Sequence, residues 1–193
     1  MARRLVSMLS LAVLMNLGGC ADDPGADDFG PDDGADAAGA DDADGFNAHC
    51  EPQADWDPAW AQYESDVLGI VNARRAEGAS CGGETFAPTG PMVAEAQLRC
   101  AARLHSQDMF VQMYFDHTNL DGESPWDRVD KTDYDGFASG ENIAQGYPDP
   151  TAVMDGWMNS PGHCANIMNA DNTEIGIGFH GGDNHWTQVM GRR

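Results

Sequence analysis

The sequence predicts an α+β fold, and three observations carry that prediction. Residues 58–78 and 92–114 repeat apolar side chains at the spacing of a helix. The stretch 174–190 reads instead as two short strands around Gly181-Gly182-Asp183-Asn184, a hairpin signature. Helical patterns come first and an antiparallel pair closes the chain, an order that segregates the two kinds of element.

The 193 residues leave room for one ordinary domain plus extensions. Arg3 and Arg4, the apolar run Leu5–Leu17 and the small residues before Cys20 read as an export signal, with a hydrophobic stretch too short to span a membrane as a mature helix. Leu17-Gly18-Gly19-Cys20 resembles a bacterial lipobox, which implies that residues 1–20 are a lipoprotein signal and that Cys20 carries the lipid. Residues 21–48 are rich in Asp, Ala and Gly. The part 21–45 holds ten aspartates and no Lys or Arg, has almost nothing to bury, and is expected to be a disordered tether. Its aspartates lack the alternate spacing and terminal Glu of an EF-hand loop. The folded domain is therefore assigned to residues 49–193.

Within it, Pro58–Gly78 predicts a helix with Tyr63, Val67, Ile70, Val71 and Arg74 at helical spacing and Gly78 as its stop. Ser80–Pro91 reads as a loop. Met92–Tyr114 predicts a second helix with Leu98, Ala101, Ala102, His105, Met109 and Met113 on one face. Pro125–Val129 reads as a short helix and Ala138–Gly146 as an extended segment. Pro150–Asn159 reads as a helix with Val153, Met154, Trp157 and Met158 inward, broken at Ser160-Pro161-Gly162, and His163–Met168 as a helical turn. Glu174–Phe179 and His185–Met190 are the strands of the hairpin.

The formal net charge is −22, and residues 46–193 keep 22 acids against 8 bases, with Lys131 the only lysine. That balance argues against nucleic acid and anionic membrane surfaces as partners. Besides Cys20, the cysteines are Cys50, Cys81, Cys100 and Cys164. An even number in an exported domain implies two disulfides, for which three pairings are open, and no Cys/His spacing suits a thiolate zinc site.

Polar residues that stand beside glycines and between apolar neighbours are the candidates for chemistry. Glu141 lies in Gly140-Glu141-Asn142-Ile143-Ala144, His163 follows Ser160-Pro161-Gly162, His117 closes an apolar-periodic segment, and Glu174 stands at the mouth of a strand. Two imidazoles and two carboxylates from four segments can hold a divalent metal, zinc above all, do acid–base work, or form a buried hydrogen-bond network. His105, on an apolar helix face, is read as a core histidine. His180 and His185 are read as exposed hairpin positions, and Trp157 and Trp186 as core. Ser160 lacks a nucleophile-elbow sequence and is read as part of a turn.

The order HSQDM (105–109), YFDHT (114–118), SPWDR (124–128), GENIA (140–144), WMNSPGHCANIM (157–168), TEIGIG (173–178) and HWTQVMG (185–191) resembles the CAP superfamily, the group of cysteine-rich secretory proteins, antigen 5 and pathogenesis-related 1 proteins with bacterial SCP-like relatives. The resemblance covers residues 60–191. It implies a three-layer α-β-α sandwich with a His/Glu cleft formed by His117, Glu141 and His163. The second glutamate of that cleft is replaced by Ser160, and Glu174 is the candidate substitute in space. The resemblance also favours Cys81–Cys164, leaving Cys50–Cys100. The implied protein is lipid-anchored in the cell envelope, at the outer membrane where the host has one. It binds a small apolar, sterol-like or cell-wall ligand, with a metal-dependent hydrolase or a disulfide-stapled interaction domain as the alternatives.

Overall fold

In a computed structural model the described residues are 47–193. The expected signal, the lipidation of Cys20 and nearly all of the tether lie outside them. The elements are a 3-10 turn at Glu51–Gln53, then α1 Pro58–Glu77, β1 Ala79–Cys81, β2 Glu84–Phe86, β3 Val93–Ala94, α2 Ala96–Gln112, α3 Pro125–Asp130, β4 Phe137–Gln145, α4 Pro150–Met158, α5 Pro161–Met168, β5 Glu174–His180 and β6 His185–Arg192. The main sheet has the order β3-β5-β6-β4, with β3 parallel to β5 and the other pairs antiparallel. The fold is the α-β-α sandwich.

Alternation along the strands sorts side chains to the two faces. Ile175, Ile177, Phe179, Trp186 and Met190 pack with Val67 and Val71 of α1, Val153, Met154 and Trp157 of α4, and Ile167 and Met168 of α5. Val189 packs on the other face with Leu98, Ala101 and Ala102 of α2 and Val129 of α3. The two glycines of Ile175-Gly176-Ile177-Gly178 face α2. A Cβ at Gly176 would lie 2.0 Å from backbone atoms of Leu98 and Arg99, and one at Gly178 would lie 2.4 Å from Ala102 and Arg103. Glycine is required there because the helix rests directly on the strand.

Several boundaries differ from expectation. Met92–Glu95 does not open α2. Val93 and Ala94 pair with Glu174 and Ile175, and Glu95 caps the helix by accepting from Leu98 N at 2.8 Å. The loop at 80–91 contains the β1/β2 hairpin. Met113 is no core residue: it ends α2 in the left-handed region at φ 57° and is 90 % exposed.

On α1 the buried polar residues are Glu64 and Arg75, not Arg74, which is half-buried and pairs with Glu77 and Asp155. Arg75 is 1 % exposed and donates to the carbonyls of Gly90, Ile167, Asn169 and Asn172, pinning the end of α5. Burial lowers its pKa. Glu64 accepts from Arg103 at 2.6–3.1 Å, from Trp56 Nε1 and from Phe179 N, and burial raises its pKa. A periodicity count assigns charged residues to water, and only a matched set of buried partners overrides it.

The disulfides are Cys50–Cys100 and Cys81–Cys164, with Cα–Cα distances of 5.8 and 5.5 Å. The first ties the segment before α1 to α2, and the second ties the β1/β2 hairpin to α5, one residue beyond His163. No helix among the described residues is long and apolar enough to cross a membrane.

Candidate functional site

The site forms around β4 because β4 is an edge strand. Elements of both outer layers reach it there. Glu141 stands opposite Val189 and shares its face, toward α3, while Asn142 stands opposite Gln188 and looks toward α5. Gly140 faces Asn166 at a distance that leaves little room for a side chain.

Glu141 is the hub. Its side chain is 2 % exposed, with Oε1 2.8 Å from His117 Nδ1 and Oε2 accepting from Arg128 Nη2 at 2.6 Å. Arg128 Nη1 donates to the carbonyls of His117 and Glu123 at 2.8 and 3.0 Å, so one guanidinium fixes both the carboxylate and the loop that carries the imidazole. Arg128 is placed by α3, whose start is set by Pro125 and by a capping box between Ser124 and Asp127. The side chain of His117 is 48 % exposed. Its pKa is raised, first by the hydrogen bond to Glu141. Among the described residues its Nε2 has no protein partner.

On the other side, Asn142 donates to the His163 carbonyl at 3.2 Å and to Gln188 Oε1 at 3.1 Å, and Asn166 donates to Asn142 Oδ1 at 2.9 Å. His163 stands in the first turn of α5, half-buried, and its pKa is lowered by burial and then by the charge on His117. Ser160 is the N-cap of α5 without a side-chain capping bond, and its hydroxyl has no hydrogen bond to His163 among the described residues.

The structure thus brings His117 and Glu141 into contact and ties the His163 backbone to Asn142, the next residue on β4. It does not bring Glu174. That carboxylate, at the start of β5, is held by Tyr134 and Arg193, which also binds Glu95. It stands one strand away from β6 at the register of Gly191, two positions beyond the Val189 that faces Glu141, and is consumed by its own cation. Glu174 therefore does not stand in for the glutamate absent at Ser160. His185 is also corrected: it is 2 % exposed, with Nδ1 3.0 Å from the Gly182 carbonyl. His105 is fully buried as a core histidine, with Nε2 3.1 Å from the Asp116 carbonyl, and burial pulls its pKa down to about 4. Trp157 and Trp186 are core. Arg128, Asn142 and Asn166 escaped sequence reasoning. Their only signals were the Ser-Pro-x-Asp helix start before Arg128 and the flanking of Asn142 by Glu141 and Ile143.

Among the described residues no group of three His, Cys, Asp or Glu is arranged to hold a metal ion. The two imidazoles alone are a partial donor set, since both oxygens of Glu141 are committed to protein partners.

The geometry coincides with a known family. The model for CAP, the cysteine-rich secretory protein family, matches residues 68–190. The chain belongs to the CAP family. A Bacillus subtilis relative, the uncharacterized protein YkwD, is 36 % identical over 126 residues, which are 65 % of this chain and 46 % of YkwD. The chain therefore spans just under half the length of that relative. Among solved CAP-like structures, an extracellular Bacillus anthracis protein containing an SCP domain is 27 % identical with a TM-score of 0.58, covering 69 % of this chain and 41 % of that one. An outer surface protein from Borrelia burgdorferi shares the fold at 19 % identity, with a TM-score of 0.59, over 68 % of this chain and 93 % of its own.

Proposed function

We propose that this CAP domain is displayed in the cell envelope, tethered by a lipid on Cys20, and binds a small amphiphilic envelope ligand at the His117–His163 face without turning it over. The observation that carries the reading is the contrast within the Glu141 cluster. A fully buried carboxylate and guanidinium hold one imidazole half in water, and such a held, exposed group is suited to recognition. The segment from the end of α2 to the first turn of α3 carries Met113, Phe115, Leu120 and Trp126, all apolar and all exposed by 44 % or more. The polar head of a ligand would meet the imidazoles and its apolar part this loop. No hydroxyl or thiol among the described residues is hydrogen-bonded to either imidazole of the cleft, which supports binding over nucleophilic catalysis.

The test is mass spectrometry of an organic extract of the protein purified from envelopes. A compound recovered in stoichiometric amount from the wild type, and lost from a His117→Ala, Leu120→Ser double variant, is the expected result. A protein that carries nothing and whose melting temperature does not respond to envelope extract overturns the reading.

A second reading, a divalent metal such as zinc, has one observation in its favour. Glu141 engages Nδ1 of His117 and leaves Nε2 as the outward nitrogen, the arrangement a carboxylate imposes on metal-bound histidines. With His163 the chain supplies two ring nitrogens, so this is a partial and open site. When bound, the metal would supply Lewis-acid polarisation, as a hydrolase would need. The residues themselves orient His117 and keep His163 neutral.

A further inference from the structure

His117 stands in an irregular loop between α2 and α3, and Phe115, Asp116, His117 and Thr118 are all exposed. Packing therefore does not decide where that imidazole points, and exposed loop side chains ordinarily sample several rotamers. Yet Nδ1 of His117 lies 2.8 Å from one oxygen of the buried Glu141. For that bond to persist, the backbone that carries the ring has to be held from outside the loop.

Two successive carbonyls are held. The Asp116 carbonyl lies 3.1 Å from Nε2 of His105, and the His117 carbonyl accepts from Arg128 Nη1 at 2.8 Å. These carbonyls belong to the peptide planes on either side of the His117 Cα. A peptide plane is rigid, so fixing both leaves His117 its side-chain torsions alone, and Glu141 selects among those. Arg128 reaches the loop from α3, and His105 reaches it from α2. A carbonyl can only accept, so the proton of the His105 ring sits on Nε2. The ring is fully buried, and burial pulls its pKa down to about 4, which keeps it neutral near pH 7. Its Nδ1 lies 3.4 Å from the Tyr114 hydroxyl, which donates to Asp108. Asp108 thus fixes Tyr114 at the start of the loop, and His105, on the same helix, fixes Asp116.

We propose that His105 is a positioning residue of the cleft: its Nε2–H holds the Asp116 carbonyl and, with Arg128 on the next carbonyl, aims the exposed His117 ring at Glu141. It acts through the backbone and touches no ligand. Its value to recognition rests on the function proposed above, in which His117 meets the polar head of the ligand. A histidine on the apolar face of α2 is in this way part of the cleft while lying in the core.

The test uses the full chain with no ligand added. NMR reads the His117 ring through its nitrogen shifts and through the exchange of its Nδ1 proton with water. His105→Leu keeps the apolar filling and removes the donor. His105→Gln carries an amide N–H at the reach of Nε2, and His105→Asn carries the same group on a shorter stem. Val67→Ala is the control, a fully buried side chain of α1 on the opposite face of the sheet. In His105→Leu and His105→Asn the Nδ1 proton is expected to exchange about fivefold faster, the worth of one hydrogen bond, and Nδ1 to lose the shift that marks its bond to Glu141. His105→Gln is expected to stay within about twofold of the wild type. Val67→Ala is expected to lower the melting temperature and leave the ring as it is. If His105→Leu does not fold, His105→Asn and His105→Gln decide alone. A folded His105→Leu or His105→Asn with a wild-type ring overturns the proposal. So does His105→Gln with a ring as loose as in His105→Leu, which reduces His105 to core filling. Val67→Ala that loosens the ring equally also overturns it, by tracing the effect to stability in general. No arm contains a ligand, so a protein that carries no envelope compound overturns the function proposed above and leaves the positioning of His117 intact.

Discussion

His117 and Glu141 share one hydrogen bond of 2.8 Å, and only one of them meets water: the imidazole is 48 % exposed and the carboxylate 2 %. Arg128 closes the same carboxylate from behind. Glu141→Gln removes the charge that holds the His117 proton, and the His117 pKa, followed by NMR titration, should fall toward the ordinary imidazole value near 6.5. A raised histidine pKa contributes stability that is fully present below the unfolded value and is lost as pH rises through the folded one. The pH-dependent part of the Glu141→Gln loss should therefore be larger at pH 5.5 than at pH 9. The loss also has a pH-independent part, because Arg128 is left buried and unpaired at a cost of about 3–5 kcal/mol. A variant with an unchanged His117 titration would show that this hydrogen bond does not form in solution.

His105 has the opposite sign. Its folded pKa of about 4 lies below the unfolded value near 6.5, so between these two the unfolded chain binds the extra proton. Stability from this site should be fully present above pH 6.5 and decline through the window down to pH 4, by about 3 kcal/mol in all. Denaturant melts across that range, on the wild type and on His105→Gln, measure it. An equal slope in both proteins would exclude His105 as the origin.

Non-reducing peptide mapping should recover Cys50 linked to Cys100 and Cys81 linked to Cys164. The separations of 50 and 83 residues put the loop-entropy contribution at about 4 kcal/mol for each bond. The Cys81→Ala, Cys164→Ala pair should lower stability by that order and loosen the α5 segment that carries His163. Cys81 found linked to Cys100 would contradict the fold both at α2 and at the junction of β1 with α5.

If zinc binds at His117 and His163, it competes with protons for both rings. Excess zinc should then raise the melting temperature at pH 7.5 and do so less at pH 6, reaching about 2.7 kcal/mol at a hundredfold excess over Kd. His163→Ala should abolish the increase and leave a folded protein, because the ring is half-buried and, among the described residues, has no hydrogen bond of the kind His105 makes. A wild type insensitive to zinc removes the metal reading and leaves ligand binding untouched.

Cys20→Ser should move the protein from the membrane fraction to the soluble one and remove the lipid mass from its N-terminal peptide. Wild-type protein that is soluble with an unmodified Cys20 would rule out the anchor.

The helices, the closing hairpin and the polar segments that face each other across the cleft were legible in the sequence, because each rests on local periodicity, caps and glycines. His117, Glu141 and His163 could be singled out by their settings, and the motif order tied them to one family. The roles of the carboxylates were decided only in three dimensions. Glu141 and Glu174 both stand on strands of one sheet, and nothing local separates a carboxylate that orients His117 from one captured by Tyr134 and Arg193. The same holds for Arg128 and Arg75, buried against every expectation for arginine because partners distant in the chain satisfy them: a carboxylate and carbonyls for the first, four carbonyls for the second. Periodicity reports which face of an element is apolar. Whether a charge can be buried depends on the groups that meet it from other elements, and only tertiary contact supplies those.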